Sequence, residues 1–171
     1  MSKRDLKKYV SELTKPQLEA QIIDLYDKFK DVNIYYNFVF NPNENNIVKD
    51  AKLKISNEYF PIRGKRPKMR RSVAQKFIKH FVTLGVDPFL IADLMLFSVE
   101  IAQTFSLNKT ITNATFYKSM LNSFQQSVSY LIDNGIFNEF KDRVVAVSEQ
   151  AIHQNWNNSV EFNAIVARFE Y

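Results

Sequence analysis

The densest cluster of residues with a clear chemical preference is basic and lies between residues 61 and 80. This window holds eight cationic side chains and no Asp or Glu, whereas the whole chain has 23 basic and 18 acidic residues. The rest of the chain is therefore left with 15 basic and 18 acidic residues, so the net charge of +5 comes from this window. Such a concentrated positive field attracts phosphates, acidic protein surfaces or anionic membranes. The cations are Arg63, Lys65, Arg66, Lys68, Arg70, Arg71, Lys76 and Lys79.

The window 61–80, called here the basic junction, is predicted to pass from a loop into a helix. A glycine and a proline place its start in a loop. Apolar residues at i, i+4 and i+8 from Val73 predict a helix that begins at about Lys68. Arg70 and Arg71 would then lie near a helix N-terminus, where the macrodipole disfavours cations. We expect a bound anion or an acidic neighbour to compensate them.

The leading hypothesis is a non-enzymatic module whose basic junction contacts a polyanion, most plausibly RNA or DNA. Lysine and arginine give sequence-independent affinity for phosphates through counterion release. Met69 and Tyr59 would add apolar or stacking contacts. In the alternative interpretation the junction is a solvated loop whose arginines pair with Asp24, Asp27 and Asp31. Neither a zinc-finger spacing nor an aromatic RNA-binding motif is present in the sequence.

A polar stripe interrupts the most apolar predicted helix. Asp93, Glu100 and Gln103 are spaced by seven and three residues, so they share one side of that helix. Two buried carboxylates could act as acid and base, or bind a metal. The Glu-x-x-His pattern of di-iron helices is absent, however. We expect no metal, and we expect the carboxylates to pair with Lys76, Lys79 or an arginine of a neighbouring helix.

The two histidines, His80 and His153, are 73 residues apart and form no motif. An enzyme would need His80 to converge with Asp93 and Glu100 on an open pocket. The chain lacks a Gly-x-Ser-x-Gly elbow, a phosphate-binding glycine loop and an EF-hand loop. We therefore predict no catalytic residues and no cofactor, and we favour a structural or surface role for both histidines.

The aromatic run from Tyr35 to Phe40 is open to two interpretations. Core packing is the default for such a run. Aromatic side chains are also enriched in ligand pockets and partner surfaces. The alternative function is accordingly a protein-interaction or scaffold module that uses aromatic or apolar helix surfaces.

Composition indicates one domain spanning residues 1–171. A hydrophobic content of 46% suffices for a sizeable core. The chain has no cysteine, which excludes disulfides and thiolate chemistry. The start is polar and the longest apolar stretch, 88–97, contains Asp93, so we predict a cytoplasmic protein without a membrane span.

Periodicity and capping signals predict an all-α fold of about seven or eight helices. Short connectors suggest antiparallel helical hairpins, arranged as an orthogonal bundle or a short helical-repeat-like stack. The second helix starts at Thr14 and can continue through 35–40, where a strand is the alternative. The other helices are predicted at 2–13, 44–59, 68–84, 88–105, 113–132 and 136–152, with a short last one ending at about Ala167.

Several phrases of the chain resemble a family of small bacterial proteins catalogued as a domain of unknown function. The resemblance covers most of the chain and implies a bacterial, cytoplasmic, single-domain protein. It assigns no catalytic or binding residue. The phrases are Lys7-Lys8-Tyr9, Leu13-Thr14-Lys15, the stretches 35–42 and 71–81, and Ile91-Ala92-Asp93-Leu94-Met95.

Overall fold

The computed structural model describes residues 1–62, 66–107, 109 and 111–169. Within these ranges the chain forms nine α-helices and a final 3-10 turn, with no strand. The predicted all-α fold class is therefore confirmed. By their internal contacts the residues form two compact units, Met1–Asn43 and Glu44–Tyr171. The organisation of residues 1–171 as one domain stays a prediction.

The first unit contains three helices whose starts were readable from the sequence. They are α1 (Lys3–Ser11), α2 (Lys15–Lys28) and α3 (Lys30–Phe40). Ser2 and Asp5 form a reciprocal capping box at α1, and Thr14 and Gln17 form one at α2. Helices α2 and α3 pack against each other, and Tyr26 donates a hydrogen bond to Asn37 Oδ1 at 3.2 Å across them.

The aromatic run 35–40 is helical, so the strand alternative is wrong. It belongs to α3, which is separated from α2 by one residue. Phe29 has an extended backbone, with φ −117° and ψ 112°. Its amide closes α2 on Leu25, while its carbonyl accepts the first amides of α3. No glycine or proline marks this break, which explains why the sequence did not reveal it.

The second unit contains six helices. Most of their first and last residues lie close to the predicted ones. Helices α4, α6, α7 and α8 start at the predicted residue or one residue later, whereas α5 starts later, as described below. Asp87 caps α6, where its Oδ1 accepts the Phe89 amide at 2.7 Å. The helices are α4 (Glu44–Tyr59), α5 (Arg71–Leu84), α6 (Pro88–Ser106), α7 (Ala114–Asp133), α8 (Phe137–His153) and α9 (Ser159–Val166), followed by the 3-10 turn Ala167–Phe169.

Helix α6 is the centre of the second unit, as its apolar sequence predicts. It packs against α4, α5, α7 and α8. Leu94, Leu96, Val99 and Ala102 are completely buried in it. A helix that is apolar nearly all round must be enclosed, because no face of it gains from contact with water.

Helix α6 is also the one helix of the described residues that is long and apolar enough to cross a membrane. More than half of that span, 56%, is buried inside the fold. The core helix of a water-soluble protein has the same properties, and the neighbours of α6 account for its apolar surface.

Three helices of the second unit end with the same device. A residue in the left-handed region follows α5, α7 and α8, namely Gly85 (φ 77°), Gly135 (φ 69°) and Asn155 (φ 53°). The next residue donates its amide to a carbonyl five residues earlier, in the Schellman pattern. These next residues are apolar and buried, with exposures of 3%, 7% and 3% for Val86, Ile136 and Trp156.

We predict that Gly85→Ala destabilises the protein through backbone strain alone. A Cβ atom at this position would meet nothing within 4 Å, so no clash contributes. The left-handed conformation should cost an L-residue about 1 kcal/mol. Urea unfolding would measure the loss. Asn155→Gly is the converse control and should leave stability unchanged or raise it; an unchanged stability of Gly85→Ala would contradict the cap assignment.

Candidate functional site

Glu58, in the last turn of α4, holds the middle of the basic junction in place. Its backbone carbonyl accepts the amides of Lys68 and Met69 at 2.9 and 3.0 Å. Its carboxylate accepts Arg70 Nε and Nη2 at 2.8 and 2.7 Å and the Arg70 amide at 3.4 Å. The Glu58 side chain is only 11% exposed. One residue therefore fixes three consecutive residues of the junction.

Helix α5, which follows the loop part of the basic junction, begins later than predicted. Met69 lies in the left-handed region with φ 50°, and Arg70 is extended as the residue that precedes the first turn. Helix α5 therefore starts at Arg71, and the predicted start at about Lys68 is wrong. A left-handed methionine costs roughly 1 kcal/mol, which the hydrogen bonds to Glu58 offset.

Arg70 has the acidic neighbour that its position at a helix N-terminus requires. The hydrogen bonds from Arg70 hold the pKa of Glu58 below its ordinary value, more strongly than burial raises it. The same contact raises the pKa of Arg70. The Glu58 carboxylate, which also accepts the Arg70 amide, supplies the negative charge favoured at this helix end.

Arg71 is held by neutral groups. Its Nε donates to Ser123 Oγ at 2.7 Å and its Nη2 donates to Gln126 Oε1 at 2.8 Å, both on α7. Burial lowers the pKa of Arg71. The partners fix the guanidinium group but do not neutralise it, so its positive charge remains available.

The other described cations of the basic junction are exposed. Arg66, Lys68, Lys76 and Lys79 all face solvent, and none of the ion pairs among the described residues involves them. The remaining two candidates, Arg63 and Lys65, lie outside the described residues.

One of these cations, Lys68, lies where a helix dipole favours positive charge. The amide of Lys68 is bonded to a carbonyl in the last turn of α4, so this part of the junction lies at the C-terminal end of that helix. The negative end of a helix dipole stabilises nearby cations. This helix end therefore favours a cation at Lys68, which is exposed and forms no ion pair among the described residues.

The apolar residues beside the cations are not the predicted pair. Tyr59 is 3% exposed, and its ring packs on Phe105 with centroids 5.8 Å apart, so it cannot stack on a ligand. Phe60 and Ile62, which sequence reasoning missed, are 46% and 70% exposed. The following proline breaks α4 just after Tyr59, which places Phe60 outside the helix and on the surface.

The polar stripe of α6 is an ion-pair network. Arg143 of α8 donates to Glu100 at 2.6 and 2.8 Å and to Asp93 at 2.7 Å. Lys52 of α4 completes the pairing of Asp93. The expected pairing is therefore present, and of the expected partners it is the arginine of a neighbouring helix, Arg143, that forms it, with Lys52 in addition and without Lys76 or Lys79. Both carboxylate side chains are about one-third exposed rather than buried.

The charges in this network stabilise one another. The hydrogen bonds that Arg143 donates to Glu100 raise the pKa of Arg143 against the effect of burial. Burial by itself would raise the pKa of Asp93, but hydrogen bonds from Lys52 and Arg143 outweigh it and lower that pKa. Asp93 therefore stays ionised and has no proton to offer as a general acid near neutral pH.

Gln103, the last residue of the stripe, is a structural link. It is 3% exposed, and its Nε2 donates to the Val147 carbonyl of α8 at 2.7 Å.

His80 and His153 are both exposed. In the part of the chain that the structure describes, no group of three or more His, Asp or Glu residues could hold a metal ion. The carboxylates of α6 pair with Lys52 and Arg143 and thereby link α6 to α4 and α8.

Comparison with known proteins gives one match. The model of a family of unknown function, DUF6155, matches residues 1–170. No curated protein matches the chain. No solved structure matches it either. The family carries no assigned activity, so the site has to be interpreted from its own chemistry.

We predict that Glu58→Gln lowers stability at neutral pH by about 1–2 kcal/mol, because the amide keeps the shape but loses the charge-assisted bonds to Arg70. The pKa of Glu58 is lowered on folding, so its contribution is present above the unfolded-state pKa and is lost as the pH falls through the folded one. Urea unfolding of both proteins should show a difference at pH 7 that vanishes in acid.

The matched control for this prediction is Glu149→Gln, which removes an exposed carboxylate from α8. It should unfold like the wild-type protein at both pH values. The lowered pKa of Asp93 adds an acid sensitivity that all three proteins share. Equal stability of Glu58→Gln and wild type at pH 7 would contradict the role given to Glu58.

Proposed function

We propose that this chain, which belongs to the family of unknown function DUF6155, binds a polyanion through its basic junction, most plausibly RNA or DNA. The observation that carries the proposal is the set of four exposed cations that form no ion pair within 4 Å of a carboxylate among the described residues. They are Arg66, Lys68, Lys76 and Lys79.

The cations of the basic junction have two roles: some form contacts within the fold, and others are exposed and accessible to a ligand. Arg70 is neutralised by Glu58 and is part of the scaffold. Lys76 and Lys79 are three residues apart on α5, so they project from the same side of that helix. Two lysines on one side, with Lys68 before the helix, supply the run of positive charge that a phosphate backbone requires.

Exposed apolar side chains support nucleic acid over a simple inorganic anion. Phe60 and Ile62 lie between α4 and the cations in the sequence. Ile62 is 70% exposed, and Phe60 is 46% exposed with its ring edge-to-face against Phe105. Proteins that bind single strands combine a cationic surface with aromatic side chains on which bases stack. A bacterial, cytoplasmic setting, where such ligands are abundant, belongs to the same proposal.

We expect Lys76→Ala with Lys79→Ala to weaken binding to single-stranded RNA and DNA of any sequence. Removing two phosphate contacts should reduce the slope of log affinity against log salt by about 1.4. Fluorescence anisotropy at several salt concentrations would measure both quantities. Both lysines are exposed and alanine favours helix, so the variant should fold normally.

A matched variant distinguishes a local surface from net charge. Lys49→Ala with Lys141→Ala removes the same charge from exposed positions on α4 and α8, and it should retain nearly all of the affinity. Equal losses in the two variants, or wild-type binding that ignores salt, would overturn the proposal. Arg70 is unsuitable for this test, because removing it disturbs the Glu58 contact.

A second candidate function is self-association through the first unit. In this unit, none of the described side chains is buried, and large apolar residues are exposed, with Phe40 at 76%, Ile23 at 61% and Phe29 at 55%. Exposed apolar surface of this extent is typical of interaction sites. The observation favours the interaction module that the aromatic run 35–40 suggested.

For this candidate we expect the intact protein to sediment as an oligomer at micromolar concentration. Val39→Ser with Phe40→Ser should shift it towards monomer, because the two side chains, 49% and 76% exposed in α3, contribute little to the packing of that helix. Sedimentation velocity would measure the change. A wild-type protein that stays monomeric over the whole concentration range would rule self-association out.

A further inference from the structure

A polar groove lies beside Arg71 on the surface of the second unit. It is a solvent-open depression with a volume of about 420 Å³, within the size range of sites that hold small organic groups. Met95 of α6 lines it together with one side of α7. The α7 residues are Asn122, Gln125, Gln126, Ser129, Tyr130 and Asp133.

The lining of the groove suits a flat group rich in hydrogen-bonding atoms. Each of the three amides offers two donors and an acceptor. Asn122, Gln125 and Ser129 are exposed, so these atoms are accessible to a ligand. Tyr130 is half-buried and lines the same space, which provides an aromatic surface. Nucleobases are recognised by this combination of edge hydrogen bonds and stacking.

The groove carries opposite charges at two points along α7. Gln126, four residues after the first lining residue Asn122, accepts a hydrogen bond from Arg71. Asp133 lies at the C-terminal end of the groove, seven residues and about 10 Å further along α7. A ligand aligned with this polarity presents a phosphate to Arg71 and a hydrogen-bond donor to Asp133. Carboxylates accept in this way from the exocyclic amine of a base.

Arg71 connects the groove to the basic junction. Two of its five N–H donors are used by Ser123 and Gln126. The remaining donors belong to a side chain whose position is already fixed, so binding a phosphate costs little ordering entropy. A strand whose phosphates lie on the junction could place a base in the groove at this arginine.

We propose that this groove accepts a base carrying an exocyclic amine, such as adenine or cytosine, from a single-stranded nucleic acid bound at the basic junction. The inference rests on the proposed function and adds base selection to it. The phosphate contacts give affinity for any strand, while the α7 amides and Asp133 discriminate among bases. Uracil has no exocyclic amine, and its N3–H donor is flanked by two carbonyl oxygens that the Asp133 carboxylate repels, so it is the weaker ligand.

The test compares labelled homopolymers of A, C and U about 12 nucleotides long by fluorescence anisotropy with the full chain. We expect A or C to bind at least about fivefold more tightly than U. Asn122→Ala with Gln125→Ala, and separately Asp133→Asn, should abolish this preference while leaving the salt dependence unchanged. All three positions are exposed on α7, and thermal melting would verify that the variants fold.

The control is Asn138→Ala with Asn163→Ala, which removes two exposed amides from α8 and α9 and should keep the base preference. Salt-dependent binding that is equal for all three homopolymers, or a preference that survives both groove variants, would overturn the groove assignment alone. Absence of salt-dependent binding to every homopolymer would overturn the proposed function itself.

Discussion

Glu58 is the residue on which the geometry of the basic junction depends, because its carbonyl and its carboxylate hold three consecutive residues at the end of α4. Met69 can adopt a left-handed backbone only because these bonds compensate its cost. The turn at Met69 delays the start of α5 to Arg71 and thereby directs the guanidinium of Arg71 towards α7. The bonds from Arg71 to Ser123 and Gln126 tie this arrangement to the side of α7 that lines the groove.

The second unit is held together by a different kind of contact around α6. Its apolar side chains are enclosed by four neighbouring helices, and the polar stripe is tied to α4 and α8 by Lys52 and Arg143. Breaking such a partly buried network would leave unpaired charges, whereas its presence fixes the relative register of the helices. The pairing of its acidic residues with Lys52 and Arg143 thus explains why α6 can lie inside the fold although it carries charges.

Much of the helical architecture was predictable from the sequence, since capping boxes, Asp87-Pro88 and the glycines after α5 and α7 are local signals. Two features could not be predicted. The break at Phe29 has no local signal, and the late start of α5 depends on Glu58, which is twelve residues from Arg70 in the chain. The cations of the junction were visible in the composition. Which of these cations are neutralised depends on tertiary contacts. The groove depends on them too, because in the sequence its α7 residues have the pattern of an ordinary solvent-exposed helix face.

The shared ending of α5, α7 and α8 has a consequence for local opening of the chain. In each case the residue after the left-handed position is buried, so unwinding the last turn would expose Val86, Ile136 or Trp156 to water. Helix ends usually fray at almost no cost, but here fraying is coupled to the loss of core contacts. Amide hydrogens in these last turns should therefore exchange with solvent as slowly as those of the helix interiors, and the second unit should open as a whole rather than from its helix ends.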